Sequence, residues 1–256
     1  MIVMKAIILT SNSYRHKYFT QVMSRHFEVV GIVAEPKINY YTNIRNQSKV
    51  VQKHFDHLKK CEQQFFGNVD FAKAELLELE RNRINDTDVV DWALQKKPDI
   101  ILLFGTAILK EGWLHDFQNR IINLHLGLSP YYRGSATLFW PFYYDEIEYV
   151  GATIHIAVAK VDAGDIIGRV RPNLEVGDDY YTINLKTMKE TIDRMPMYIE
   201  DFFFNKILLV KQDLTIGRRC RRSDFTERTL NIALQNVGNG LSKDKLQEIK
   251  KKKINI

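Results

Sequence analysis

Asn123 and His125 stand two residues apart in Ile121-Ile122-Asn123-Leu124-His125-Leu126, where every neighbour is apolar. A strand has a side-chain period of two, so the amide and the imidazole point to the same face. That pair suits acyl transfer. An imidazole titrating near neutrality can take the proton that leaves an attacking nucleophile, a contribution of about 10²- to 10⁴-fold. Asn, or a protonated His, can donate to the oxygen on which negative charge develops, worth about 10²- to 10³-fold per donor. A carboxylate from another loop can orient the imidazole or relay its proton, and Asp162 and Asp165 in Asp162-Ala163-Gly164-Asp165 are the candidates. By spacing alone, a strand histidine is more often a satisfied core residue than a catalyst.

The elements that must position these groups follow from hydrophobic patterning. Lys5 to Thr10 reads as a buried strand, Ser11 to Ser13 as a polar turn, and Tyr14 to His26 as a helix with Tyr18, Phe19, Val22 and Met23 on one face. Val29 to Ala34 returns as a strand and completes a βαβ unit. Residues 35 to 85 read as an elaborated crossover with an amphipathic helix around Val50 to Phe66. Asp86 is placed to cap a helix ending near Lys96, and Ile100 to Phe104 is the next buried strand. Gly105 follows it, where an open α/β sheet usually places ligand contacts. Beyond Ile121 to Leu126 come a loop from Gly127 to Gly134, a short aromatic helix from Ser135 to Tyr144, and strands at Gly151 to Val158 and Ile166 to Val170. Tyr180 to Phe204 reads as a helix interrupted by Pro196, and the remainder is basic and weakly patterned. The expected fold is α/β: a Rossmann-like, mostly parallel sheet flanked by helices, with a small C-terminal extension. The division expected is a main domain over 1–205 and an extension with a basic tail over 206–256.

Bulk properties narrow the class. The chain has 256 residues, 45% of them hydrophobic, enough for one substantial core. Its two cysteines, Cys61 and Cys220, lie far apart without metal-ligand spacing, so neither a disulfide framework nor a metal site is expected, and a reducing cytoplasm fits best. The apolar run Met1 to Thr10 is too brief to span a bilayer and lacks a signal-peptide pattern, so no membrane association is expected. The net charge of +6 concentrates at Lys59 and Lys60, Arg218 to Arg222, and Lys250 to Lys253. Such clusters bind nucleic acid or anionic ligands, or form solvated faces, and the solvated reading is the commoner. The turn Ser11-Asn12-Ser13-Tyr14-Arg15-His16 lies between strand and helix, where free N–H groups can hold a phosphate, although simple capping by Ser11 or Ser13 explains it nearly as well. It is not a GxGxxG loop, so dinucleotide binding lacks support. The aromatic cluster from Tyr131 to Tyr144 could stack a base, with core and interface roles together favoured.

Taken together, Asn123-Leu124-His125, then Leu128, Pro130, Arg133 and Gly134, then Gly151-Ala152-Thr153-Ile154-His155 and Asp162-Ala163-Gly164 resemble the catalytic domain of the folate-dependent formyltransferases. The resemblance covers roughly residues 3 to 175. It implies that Asn123 binds the formyl oxygen, His125 is the catalytic imidazole and Asp162 the catalytic carboxylate, with Asp165 a weaker candidate. His155 matches a position often facing the site, and a core role is equally open. Phe104, Gly105, Thr106, Ala107, Ile108 and Leu109, with Ala159, Val161 and Gly164, would wall the pterin pocket of N10-formyltetrahydrofolate, the implied formyl donor. Asn12, Ser13, Arg15, His16, Arg133 and Gly134 would face the acceptor substrate. One position departs from the pattern: where relatives have Ser, this chain has Gly127.

Among members of that family, the motifs Ser-Asn-Ser-Tyr-Arg-His and Pro-Tyr-Tyr-Arg-Gly most resemble the enzymes acting on nucleotide-linked amino sugars for surface polysaccharides. Transfer-RNA formyltransferases carry a further barrel domain after the catalytic region, for which little chain follows Leu174, so a nucleic-acid partner is disfavoured. Two alternatives remain: a methionyl-tRNA formyltransferase lacking that C-terminal domain, which the cluster Arg218 to Arg222 keeps open, and a non-catalytic folate- or nucleotide-binding module, against which the intact Asn123, His125 and Asp162 speak. A homodimer is expected from the apolar stretch Ile199 to Phe204 and from family habit.

Overall fold

The computed structural model describes residues 4–36, 48–252 and 254. Strands β1 (Lys5–Thr10), β2 (Glu28–Ala34), β3 (Leu76–Glu78), β4 (Ile100–Leu103), β5 (Ile121–His125), β7 (Ala152–Ile156) and β8 (Ile166–Val170) form one sheet in the order β3-β2-β1-β4-β5-β7-β8. The first five are mutually parallel, and β7 and β8 add antiparallel at the end. Two further strands, β6 (Tyr132–Gly134) and β9 (Arg218–Cys220), pair in parallel as a separate ribbon. The reading of a mostly parallel α/β sheet is therefore correct.

Helices cover both faces. Helix α1 (Tyr14–Met23) and helix α6 (Tyr180–Phe203) pack Phe19, Val22, Met23, Ile192, Met195 and Ile199 against Ile8, Leu102, Leu124 and Ile154. On the opposite face α3 (Thr87–Gln95) and α4 (Glu111–Asp116) cover Leu9, Ile101, Leu103 and Ile121. That second face is apolar along β1 and β4 and turns polar at β5 and β7, where Asn123, His125, Thr153 and His155 replace aliphatic residues. A third core joins α2 (Lys49–Phe66), the short α5 (Trp140–Tyr143), the start of α6, α7 (Glu227–Val237) and α8 (Lys243–Lys251). Leu230, Ala233, Val237, Leu241 and Ile249 pack there with Tyr132, Trp140, Phe142 and Ile183.

Several local expectations need correction. Helix α6 runs through Pro196 without interruption, because that residue lies between the fully buried Met195 and Ile199, and packing outweighs one lost backbone hydrogen bond. Asp86 precedes α3 but does not cap it; its carboxylate is taken by Arg83 at 2.8 Å. Helix α1 stops at Met23, and the aromatic segment is helical only over Trp140–Tyr143. The basic remainder is ordered into β9, α7 and α8. Part of the 35–85 crossover, residues 37–47, and Lys253 of the basic run lie outside the described residues. Among the described residues, no helix is long and apolar enough to cross a membrane.

Candidate active site

Strand register brings the polar groups together. Leu103 pairs with Asn123, Asn123 with His155, and His125 with Thr153. Thr153 then fixes the loop that follows β5: its hydroxyl donates to the Gly127 carbonyl at 2.7 Å and accepts from Ser129 N at 2.9 Å. The loop after β7 folds back across the same face and delivers Asp162, whose backbone is left-handed at φ +52°. Its Oδ1 faces His125 Nδ1 at 3.3 Å, and its Oδ2 accepts the Gly134 N–H at 3.0 Å. Asp162, not Asp165, is the carboxylate that meets the imidazoles.

The tautomer of His155 follows from its partners. Nδ1 lies 2.8 Å from the Ile156 carbonyl and must carry the proton, which leaves Nε2 to accept from the Asn123 amide at 3.0 Å. This fixes which end of the Asn123 side chain is nitrogen, and its second N–H remains to donate elsewhere. Asp162 Oδ1 is 3.8 Å from His155 Nε2, too long for a hydrogen bond.

His125 is buried, with both ring nitrogens facing acceptors: Asp162 on Nδ1 and the Tyr132 carbonyl on Nε2 at 3.1 Å. A neutral ring can donate to only one of them, whereas the imidazolium satisfies both. Burial works the other way and pushes His125 below the ordinary imidazole value, with the Asp162 charge offsetting part of the cost. Burial raises the Asp162 carboxyl, but when it titrates, in acid, the charge of a protonated His125 or His155 and the Gly134 N–H outweigh burial and hold the group below the usual carboxylate range. Asp162 is thus an anion, beside an imidazole that is neutral at rest and has a place for a proton.

Gly127 has a steric reason here. A Cβ at this position would lie 2.5 Å from His125 Nε2, 2.6 Å from Thr137 Cβ and 2.7 Å from the Tyr132 carbonyl. The carbonyl that meets His125 occupies the space a side chain would need.

The structure groups Asn123, His125 and Asp162, and His155, buried and bonded to Asn123, lies with them. Phe104 to Leu109 leave the sheet where β4 pairs with Asn123, and Ala157 packs with Leu103 and Leu109 in one cluster. Ile108, Val158 and Val161 are 65%, 43% and 39% exposed, so the two loops hold apolar side chains open to solvent. His16 is fully buried, bonded to Ser13 Oγ at 2.6 Å and packed on Phe104 with ring centroids 4.8 Å apart. Asn12 is exposed. The Arg15 guanidinium is engaged by the buried Glu62, which also accepts the Arg15 N–H at 3.1 Å. Arg133 donates to the Pro130 and Leu214 carbonyls. Beside the β6–β9 ribbon a cleft of about 350 Å³ is lined by Trp140, Tyr143, Tyr144, Arg218 and Arg219.

An open α/β sheet presenting an amide, an imidazole and an ionised carboxylate on one polar patch is equipped for acyl transfer. Residues 4–199 match the family model described as formyl transferase, and the chain belongs to that family. Solved structures share its fold at low identity. A sugar N-formyltransferase from Shewanella sp FDAARGOS_354 is 14% identical with TM-score 0.59, the match covering 91% of this chain and 88% of that one. Glycinamide ribonucleotide transformylase 1 from Symbiobacterium toebii is 18% identical with TM-score 0.57, covering 82% and 95%. The formyltransferase PseJ from Anoxybacillus kamchatkensis, solved with UDP-4,6-dideoxy-4-formamido-L-AltNAc and tetrahydrofolate, is 17% identical with TM-score 0.50, covering 86% and 87%.

Proposed function

We propose that this protein transfers a formyl group from N10-formyltetrahydrofolate to the primary amine of a nucleotide-linked amino sugar. The observation that carries the chemistry is the convergence of Asn123 and His125 on β5 with Asp162 from the loop after β7 onto one patch. Asn123, held by His155, has an N–H left to donate to the formyl oxygen as it becomes an oxyanion. The amine nitrogen attacks the formyl carbon and its proton passes to the His125–Asp162 pair; as the C–N bond to the folate nitrogen breaks, that proton is returned to the folate nitrogen, so the pair ends as it began. The imidazolium formed in between donates to both Asp162 and the Tyr132 carbonyl, the two acceptors a neutral ring cannot satisfy together. For the donor, the exposed apolar residues Ile108, Val158 and Val161 suit the walls of a flat ring, and the tetrahydrofolate of the PseJ structure supports the same cofactor.

At the turn into α1 the Glu62 carboxylate occupies the Arg15 N–H and guanidinium, so Arg15 is engaged within the protein and an acceptor phosphate must be met elsewhere. The cleft beside the β6–β9 ribbon is lined by Tyr143, Tyr144, Arg219 and Asp224, and the Arg218 guanidinium lies on the Tyr144 ring, so what it offers a nucleotide is polar and mixed in charge.

Incubation with N10-formyltetrahydrofolate and a panel of amines tests this reading: a dTDP-linked 4-amino sugar, initiator methionyl-tRNA and glycinamide ribonucleotide. The expected product is the sugar made heavier by one formyl group. Formylation of only the tRNA or the ribonucleotide would overturn the acceptor, and folate binding without formylation of any amine would favour a binding module.

A further inference from the structure

Asn123 and His125 sit on β5, flanked by the loop that carries Asp162 and by the segment from Pro130 to Gly134, and a third segment, beyond the residues that match the family model, is bonded to both of these flanks. Val210 pairs with Ile166 through two backbone bonds of 2.8 and 2.9 Å. The Gln212 amide then donates to the carbonyls of Asp162 at 3.0 Å and Gly164 at 2.6 Å. Leu214 O accepts from Arg133, and Arg218 N donates to the Tyr131 carbonyl at 2.7 Å. Strand β9 lies along β6 in the register Tyr132↔Arg218, Arg133↔Arg219, Gly134↔Cys220. The Arg218 guanidinium holds Glu146 with both terminal nitrogens, at 2.7 and 3.0 Å, and Glu146 accepts from the Tyr132 hydroxyl.

We propose that residues 210–220 are a clasp for the catalytic centre, in which Gln212 is the positioning residue of Asp162 and Arg218 that of the Tyr132 carbonyl. This rests on the reading of the centre as a formyl-transfer site. Asp162 occupies the left-handed region, uncommon for a residue with a side chain, so something must hold its turn. Gln212 does so with both amide hydrogens, and its orientation is fixed, because a flipped amide would point its oxygen at two carbonyls. The other end of the clasp fixes Tyr132, whose carbonyl faces His125, and Gly134, whose N–H holds Asp162. Gly134 has no room for a side chain, since a Cβ there would run into the Cys220 carbonyl. Each partner of the His125–Asp162 pair is therefore referred to the same short segment. Misplacement of a catalytic group by about 1 Å can cost on the order of 10²-fold in rate, so such anchoring bears on turnover more than on binding.

The test uses the full chain with Gln212→Met, which keeps the volume and removes both donors, Gln212→Ala, and the pair Arg218→Ala and Arg218→Lys. Three quantities are read: kcat and KM for each substrate, the pH profile of kcat, and the titration of the His125 imidazole by NMR. Gln212→Met is expected to lower kcat about 10- to 100-fold with KM unchanged, and to move both the pH profile and the His125 titration. Arg218→Lys should recover part of what Arg218→Ala loses. Native kcat, pH profile and His125 titration in Gln212→Met would overturn the proposal. So would loss of thermal stability with the His125 titration unmoved, which marks a merely structural contact. If the unaltered protein formylates no amine, the functional reading fails, and the clasp is still decided by whether the His125 titration moves. Should Gln212→Met fail to fold, Gln212→Ala and the Arg218 pair carry the same readouts.

Discussion

Asn123 donates its side-chain amide to His155 Nε2 at 3.0 Å across neighbouring antiparallel strands, and the other nitrogen of that imidazole is tied to its own strand's backbone at Ile156. The amide offered to an oxyanion is therefore aimed by a histidine that need not touch substrate. His155→Phe should leave the fold intact and lower kcat by about 10- to 100-fold, somewhat less than the loss of a whole oxyanion donor. Steady-state kinetics beside Asn123→Ala will show it: His155→Phe at the native rate would mean that Asn123 needs no such support.

Gly127 tests how tightly the His125 environment is packed. Gly127→Ser inserts atoms within 2.7 Å of His125 Nε2, Thr137 and the Tyr132 carbonyl, and the backbone must move to admit them. The expected cost is about 1–3 kcal/mol in stability, with kcat reduced because the Tyr132 carbonyl is displaced. Denaturant unfolding and kinetics on one preparation provide the measurement.

A pH effect on stability follows from His54, which is buried beside Tyr180 and Tyr181 and bonded to the Tyr181 hydroxyl at 2.8 Å. Burial, aided by His57, pushes its value from 6.5 down to about 4. Below pH 6.5 the unfolded chain binds a proton there that the folded chain refuses until about pH 4, so unfolding is favoured as pH falls through that window. The contribution is roughly 3 kcal/mol, and burial of His125 adds in the same direction. Urea melts between pH 7 and 4 should show the decline, with a shallower slope in His54→Gln.

Thiol reactivity reports on the ribbon. Cys220 is buried on β9 and its thiol is pushed up to about 12, chiefly by burial, whereas Cys61 is partly exposed. Iodoacetamide on the native protein should therefore label Cys61 first and Cys220 only in denaturant, as read by peptide mass spectrometry. Equal labelling of the two thiols in native buffer would contradict a closed β6–β9 pairing.

The sequence made the sheet legible because its strands are short runs of β-branched and aliphatic residues, as at Ile7 to Leu9 and Ile100 to Leu103. Asn123 and His125 were legible for the opposite reason, as polar interruptions at a period of two in such a run. The ribbon was not. Tyr132-Arg133-Gly134 and Arg218-Arg219-Cys220 have no alternation of their own, and their pairing is decided by partners far along the chain. Arg218 read as part of a charge run, yet it is a two-pronged partner for Glu146. Gln212 offers no local signal at all, since a lone amide declares its two carbonyl acceptors only after the chain has folded. His155 was legible as a strand position that the family resemblance turns toward the site, and only the pairing of β5 with β7 makes it the residue opposite Asn123.

The β6–β9 pairing joins residues 86 positions apart in the chain, and its second strand begins only at Arg218, whereas every strand of the main sheet has been made by Val170. A nascent chain leaving the ribosome can thus have all the strands of its sheet dozens of residues before the ribbon exists. The scaffold precedes the catalyst in synthesis: a polypeptide halted near residue 205 would hold the sheet with its reactive loops untied, and competence would arrive only with the eleven residues from Val210 to Cys220.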